Sequence, residues 1–461
     1  MAVAPNSLQA RDILHTVHPY TNLRQHERQG PLVITGGDGV YVVDDDGKRY
    51  IEGLAGLWCT GLGFSDKRLA EVARRQMERL PYSHSFSHRS TEPMIELAEK
   101  LASIAPPPIT RSYFVNSGSE AIDTALKLIW YYNNARGLPE KKTIIARKRA
   151  YHGITVAGGH LTSSLAYTSS GFDLPMLDRF RHLTTPSFYR DGLPGESEAE
   201  FVDRLARELE DLILAEGPGT VAAFFAEPVQ GAGGVIVPPA GYFAKVQAIL
   251  KKYDILFVAD EVICGFGRTG NWWGCDTFEL RPDLVTCAKQ LSSAYLPIAA
   301  LLMSDAFYQV LADQSEKLGT LGMGYTYGAH PVAAAVAVET LRIYESDRVI
   351  EHVREVEPQF LRRLARLGEH PLVGEARGVG LLGGLELVRD KTSKEQFDPA
   401  LKVNAQVVAR CQAHGLLVRP LPGDTIGICP PMIISSSEID LLFDRLEAGL
   451  DESLDSLPMA A

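Results

Sequence analysis

"GYFAKVQAILKKYDILFVADEV", residues 241–262, decides the fold. In its first half Phe243, Val246, Ile249 and Leu250 recur at three- and four-residue spacing, which predicts a helix with one apolar face. The second half is a short apolar run that stops at two carboxylates, Asp260 and Glu261. It is too short for a core helix and suits a strand buried on both faces. A similar run, "GTVAAFFAEP" at 219–228, precedes the helix, so the three pieces make a βαβ unit with neighbouring parallel strands. Three further runs of this kind lie at "RSYFVNS" (111–117), "KKTIIAR" (141–147) and "DLVTCAK" (283–289), alternating with helical segments from about residue 65. The expected class is α/β, with a mainly parallel central sheet.

The flanks differ. "PLVITGGDGVYVVDDDGKRYIEG" (31–53) carries two apolar runs around Asp46-Gly47 and predicts an antiparallel hairpin or meander. From about residue 332 an alanine-rich helix leads into a mixed tail of strands and helices. The expected organisation is an N-terminal arm and small-domain part (1–65), a large domain (66–331) and a C-terminal small domain (332–461) packing with the N-terminal part. "RDGLPGESEAE" (190–200) reads as a surface loop.

Composition narrows the function. The chain has 461 residues, 45% hydrophobic, and a formal net charge of -11, which leaves no surplus of cations for nucleic acid or an anionic membrane. Six scattered cysteines without a C-x-x-C pair suggest neither a disulfide framework nor a zinc ribbon, and fit a reducing cytoplasm. No signal-peptide pattern or membrane-length apolar run is present, and the twelve histidines have no metal-site spacing, so no metal is expected.

Three motifs can carry chemistry. "FVNSGSEAIDTALKL" (114–128) passes from a strand through Ser117, Gly118 and Ser119 into a helix, an arrangement that serves as an ordinary serine cap or as a phosphate cradle. Asp260 stands at the carboxyl end of a buried strand, where it caps a turn, binds a metal or holds a proton on a heterocyclic nitrogen. Lys289 ends the next apolar run; an isolated lysine there would snorkel to solvent, whereas a desolvated one supplies the neutral amine of a Schiff base or proton shuttle. Together these are the parts of a pyridoxal-phosphate site. "GVGLLG" (378–383) satisfies a dinucleotide-binding pattern but lacks a following helix and is set aside.

At this level the chain resembles the class III (omega) pyridoxal-phosphate aminotransferases, in the branch using amines or omega-amino acids with pyruvate. "HPYT", "GLWCTGLGF", "NSGSEAIDTALKL", "YHGIT", "EPVQGAGGVIVPP", "ADEVICGFGRTG", "DLVTCAKQLSSAYLPI", "GYTYGAHPVAAAVA" and "ARGVGLLGGLEL" carry the resemblance in family order. It implies the fold type I architecture and pyridoxal 5′-phosphate. Lys289 would hold the cofactor as a Schiff base and act as general base, and Asp260 would keep the pyridine nitrogen protonated. Ser117, Gly118 and Ser119 would bind the phosphate, with Thr326 reaching it from a neighbouring subunit in a homodimer with shared sites, from which a tetramer can be built. Tyr151 would stack on the ring and Val262 pack on its other face, with His152 and Glu227 supporting the site.

The same resemblance places Tyr20, Trp58, Phe86, Tyr151 and Ala232 around the substrate. It makes Arg419 the mobile arginine that admits a keto-acid carboxylate and withdraws for apolar groups. Gln290 and Ala294 depart from the glycines common in the family. An aminomutase or decarboxylase of the same fold, and a catalytically silent homologue that binds only cofactor or a partner, are the alternatives.

Overall fold

The computed structural model describes residues 4–163, 171–172 and 178–457. At its centre is a seven-stranded sheet: β1 (Ile109–Val115), β2 (Thr143–Arg147), β3 (Phe180–Leu183), β4 (Val221–Ala226), β5 (Leu256–Asp260), β6 (Leu284–Cys287) and β7 (Ala299–Ser304). Their spatial order is β1-β7-β6-β5-β4-β2-β3. β3, β2, β4, β5 and β6 pair in parallel, and β4, β5 and β6 are almost wholly buried, as their unbroken apolar runs require. β7 is antiparallel to both β6 and β1, so it joins two strands that run the same way. Sequence reading places no strand at β7 or β3.

Helix α1 (Gly118–Ala135) follows β1 and buries Ala121, Ile122, Ala125, Leu126, Leu128 and Ile129. Helix α2 (Tyr242–Lys252) connects β4 to β5 and buries Phe243, Val246 and Leu250, as its periodicity predicts, with Ile249 half-buried at the margin. Helix α3 (Pro331–Ser346) packs on the turn carrying Lys289, and the Tyr344 hydroxyl donates to the Gln290 carbonyl at 2.9 Å. The strand ends of β5 and β6 therefore deliver Asp260 and Lys289 to one edge of the sheet.

Two smaller sheets flank this layer. Tyr41–Asp44 and Arg49–Glu52 form the hairpin around Asp46-Gly47, and Leu416–Leu417 adds to it in parallel, so residues from the two chain ends share one sheet. The other contains Val373–Val379, Leu382–Leu387, Arg419–Leu421 and Thr425–Ile428. "GVGLLG" is the tip of its first hairpin: Gly378 pairs with Gly383, and Gly380 sits at φ +57°, where a Cβ would come 2.3 Å from the Arg268 carbonyl. The expected loop at 190–200 is shorter than supposed. A helix begins at Glu198 because Ser197 and Glu200 cap one another's backbone amides, a pairing masked by the surrounding glycine and proline.

The N-terminal arm is fastened through Asp12, whose Oδ2 lies 2.7 Å from His18 Nε2 and 3.0 Å from His26 Nε2. These contacts fix the chain on both sides of Tyr20. Among the described residues no helix is long and apolar enough to cross a membrane.

Candidate active site

Asp260 is the last residue of β5 and is 4% exposed. Its Oδ1 accepts from the Val262 amide and the Thr286 hydroxyl, each at 3.2 Å. Its Oδ2 lies 2.7 Å from His152 Nδ1, and that imidazole is itself 1% exposed. Three partners hold this buried carboxylate in one orientation.

Lys289 begins a short 3-10 turn after β6 at φ +48°, a left-handed conformation that an L residue adopts only when its surroundings enforce it. Desolvation by the surrounding protein pulls the ammonium below its ordinary pKa; nearby Cys59, Asp260 and Glu227 oppose the shift without reversing it. Ala294 is left-handed too, at φ +62°, which explains why glycine suits that position; Gln290 is not among the positive-φ residues.

A cavity of about 160 Å³ brings these groups together. Its walls include Ser117, Gly118, Ser119, Tyr151, His152, Glu227, Asp260, Val262 and Lys289. Ser117 is the N-cap of α1 and accepts from the Glu120 amide at 3.2 Å, so the cap reading is realised. The first turn of an 18-residue helix still aims its dipole at the cavity. Glu227 accepts from the Tyr151 and Gly231 amides, each at 3.0 Å, and burial pushes its carboxyl up. Ala232 follows directly in the turn after Gly231.

Tyr151 links this cavity to a second group of side chains. Burial, then the nearby Tyr20 hydroxyl, raise the Tyr151 phenol, while Arg419 acts against them. Burial in turn lowers the Arg419 guanidinium, against the pull of Tyr20 and Tyr151. Arg419 pairs across its sheet with Gly427, and a Cβ on Gly427 would come 3.1 Å from Trp58 Cη2. Tyr20, Tyr151 and Arg419 thus interact although they come from the arm and both halves of the chain, and Trp58 lies beside the strand partner of Arg419.

Phe86 and Thr326 lie elsewhere. Phe86 is 43% exposed and lines a larger cavity of about 620 Å³ whose walls contain no lysine, carboxylate or histidine. Thr326 is exposed, and its carbonyl accepts from Tyr82 at 2.8 Å. Within one chain neither borders the Lys289 cavity. Two supporting residues escape sequence reading. Thr286 is signalled only by being the one hydroxyl in the β6 run, and Arg268, fully buried beside the Lys289 turn, by nothing local.

The donor set fits a pyridoxal phosphate. The cavity lining combines a helix start suited to an anion with a fixed carboxylate and a desolvated lysine. His152 Nε2 is buried without a partner, and a Cβ at Gly118 would stand 3.2 Å from Val262 Cγ2, so glycine keeps the cavity open beside the cradle.

Comparison with known proteins agrees with this geometry. The family described as Aminotransferase class-III matches residues 23–450. Gamma aminobutyrate transaminase 3, chloroplastic, of Solanum lycopersicum is 50% identical over 92% of this chain and 81% of its own. Vanillin aminotransferase of Capsicum annuum is 46% identical over 96% and 95%. The omega transaminase of Pseudomonas jessenii in complex with PMP is 49% identical, with a TM-score of 0.96 over 98% of this chain and all of that one. The chain therefore belongs to the class III aminotransferases and is a fold type I, pyridoxal-phosphate-dependent transaminase.

Proposed function

We propose that the enzyme moves an amino group from an amine or omega-amino acid to a small keto acid, pyruvate, in two half-reactions that share one pocket. The observation that carries this reading is Arg419 set against Tyr20 and Tyr151, near Trp58 across the neighbouring strand, with no carboxylate partner among the described residues. An aromatic wall suits an apolar donor, and an arginine without an internal anion suits a carboxylate that arrives and leaves. The name of one relative, a gamma aminobutyrate transaminase, supports an omega-amino donor without an α-carboxylate, and that of another, a vanillin aminotransferase, supports a pocket that admits an aromatic carbonyl compound.

When bound, the cofactor supplies the electron sink. The amides of Gly118 and Ser119 and the adjoining hydroxyls, which line the cavity, would hold its phosphate. Asp260, oriented by His152 and Thr286, would keep a proton on the ring nitrogen. Lys289 Nζ, whose pKa desolvation lowers, would serve as the base that moves a proton away from the substrate carbon. Val262 and Tyr151, both in the cavity wall, would exclude water from the bound ring.

Exposed Ser117 and Thr326, and the distance of Phe86 from the cavity, support a homodimer in which a second copy completes each site. The six free cysteines, five of them buried, support a reducing compartment such as the cytoplasm. A donor panel of gamma-aminobutyrate, β-alanine, a diamine and an arylalkylamine against pyruvate tests the reading. Alanine should form with at least one donor and only when pyruvate is present; release of carbon dioxide, or an isomerised product without keto acid, refutes it.

A further inference from the structure

Gln290, the residue after the lysine, is fully buried, and its side-chain amide has a defined orientation. The Trp58 carbonyl can only accept and Arg268 Nε can only donate, so the amide nitrogen donates to Trp58 O at 2.8 Å and its oxygen accepts from Arg268 Nε at 3.1 Å. In the opposite orientation the nitrogen would reach only the Ile263 carbonyl, at 3.3 Å, and would face the Arg268 N–H.

Both partners explain why the contact matters. Trp58 closes a turn in which Ala55, Gly56 and Trp58 itself have φ of +47°, +67° and +64°. Two L residues in the left-handed region cost energy and persist only where neighbours hold them. Arg268 is buried, has no carboxylate partner among the described residues, and anchors through Nη1 to the Pro430 carbonyl at 2.6 Å. A second stitch runs beside the first: the Leu62 amide donates to the Ser293 hydroxyl at 2.9 Å. The Trp58 segment is thereby fastened to the same short turn that presents Lys289.

We propose that Gln290 is a positioning residue that clamps the strained Trp58 turn to the Lys289 turn and so fixes the tryptophan as a rigid wall limiting the size of the donor's substituent. This rests on the amine-donor reading above, and the neighbouring chemistry agrees with it. A thermostable omega transaminase variant, 49% identical to this chain and carrying glycine in place of a tryptophan, is described as engineered for synthesis of enantiopure bulky amines. Here the same freedom would come from releasing the wall and leaving the ring in place.

The holoenzyme, Gln290→Met and Gln290→Glu test this. Methionine keeps the volume without hydrogen bonds; glutamate keeps the acceptor for Arg268 but cannot donate to Trp58 when ionised. The first readout is hydrogen exchange of the amides of residues 58–60, which needs no turnover. Both variants should exchange there about tenfold faster than the parent while the cofactor absorbance is kept. The second is the ratio of kcat/KM for a small alkylamine to that for a bulky arylalkylamine, which should fall about tenfold, chiefly through KM of the bulky donor. Unchanged exchange at 58–60 in both variants overturns the clamp. Faster exchange with an unchanged ratio overturns its role in selectivity. A parent enzyme without amine-dependent turnover contradicts the donor reading alone, and the exchange result still decides the clamp.

Discussion

His152 Nδ1 and Asp260 Oδ2 lie 2.7 Å apart in a pair almost closed to solvent, joined across 108 positions of sequence. The histidine orients the carboxylate that would face the cofactor ring under the proposed function. His152→Ala should lower kcat by about 10- to 100-fold, the usual loss when a supporting hydrogen bond is removed. Asp260→Asn, which keeps the shape but loses the charge, should cost about 10²- to 10³-fold. Steady-state kinetics check both, and a larger loss for His152→Ala than for Asp260→Asn would reverse the assigned roles.

Lys289 has a stability consequence in the apoenzyme. Its pKa is lowered in the folded state, so the unfolded chain binds more protons between that lowered value and the ordinary 10.5. Stability therefore rises with pH across that window, and below it the full penalty of a buried cation remains. Lys289→Met should raise the apoenzyme's Tm at pH 7, with a gain that shrinks as pH approaches 10.5. Thermal unfolding at pH 7 and pH 10 measures it.

Glu52 gives the opposite slope. Burial raises its carboxyl to about 7, against a hydrogen bond from the Leu54 amide. The folded state then holds a proton that the unfolded chain has lost between pH 4.5 and 7, so stability falls as pH rises through that range. Glu52→Gln keeps the acceptor for Leu54 and should stabilise the protein by up to about 3 kcal/mol above pH 7 and by nothing below pH 4.5. Denaturant unfolding at pH 4 and pH 8 distinguishes these.

Arg419 should act on one half-reaction. Arg419→Ala is expected to reduce kcat/KM for pyruvate by about 10²-fold, the loss of a bidentate ion pair, while an apolar aldehyde acceptor changes by less than about threefold. Equal losses for the two acceptors would remove the switching role.

Much of this was legible in the sequence because strand ends and glycine turns write their chemistry locally. The runs at β4, β5 and β6 identify the parallel layer, and Ser117, Asp260 and Lys289 each follow such a run directly. β7 was not, since "AALLMS" lies close behind the lysine turn and its apolar run says nothing of direction; it returns antiparallel only because β1 lies beyond it. β3 was hidden by the polar Arg181 and His182 of an edge strand. The supporting contacts were unreadable for a different reason. His152 with Asp260, and Gln290 with Trp58, pair residues far apart in sequence, and no periodicity or spacing encodes such a meeting. Gln290 looked like an irregularity beside the lysine until its two partners were in place.

The most direct measurement follows cofactor absorbance when the purified enzyme and Lys289→Ala are each mixed with an amine donor and then with pyruvate. The parent's absorbance should change on adding donor, yield about one carbonyl product per site, and return on adding pyruvate, whereas Lys289→Ala should complete neither step at a comparable rate. A parent that binds cofactor but shows no donor-dependent change, or a Lys289→Ala variant that turns over as fast as the parent, would contradict the transamination centred on Lys289.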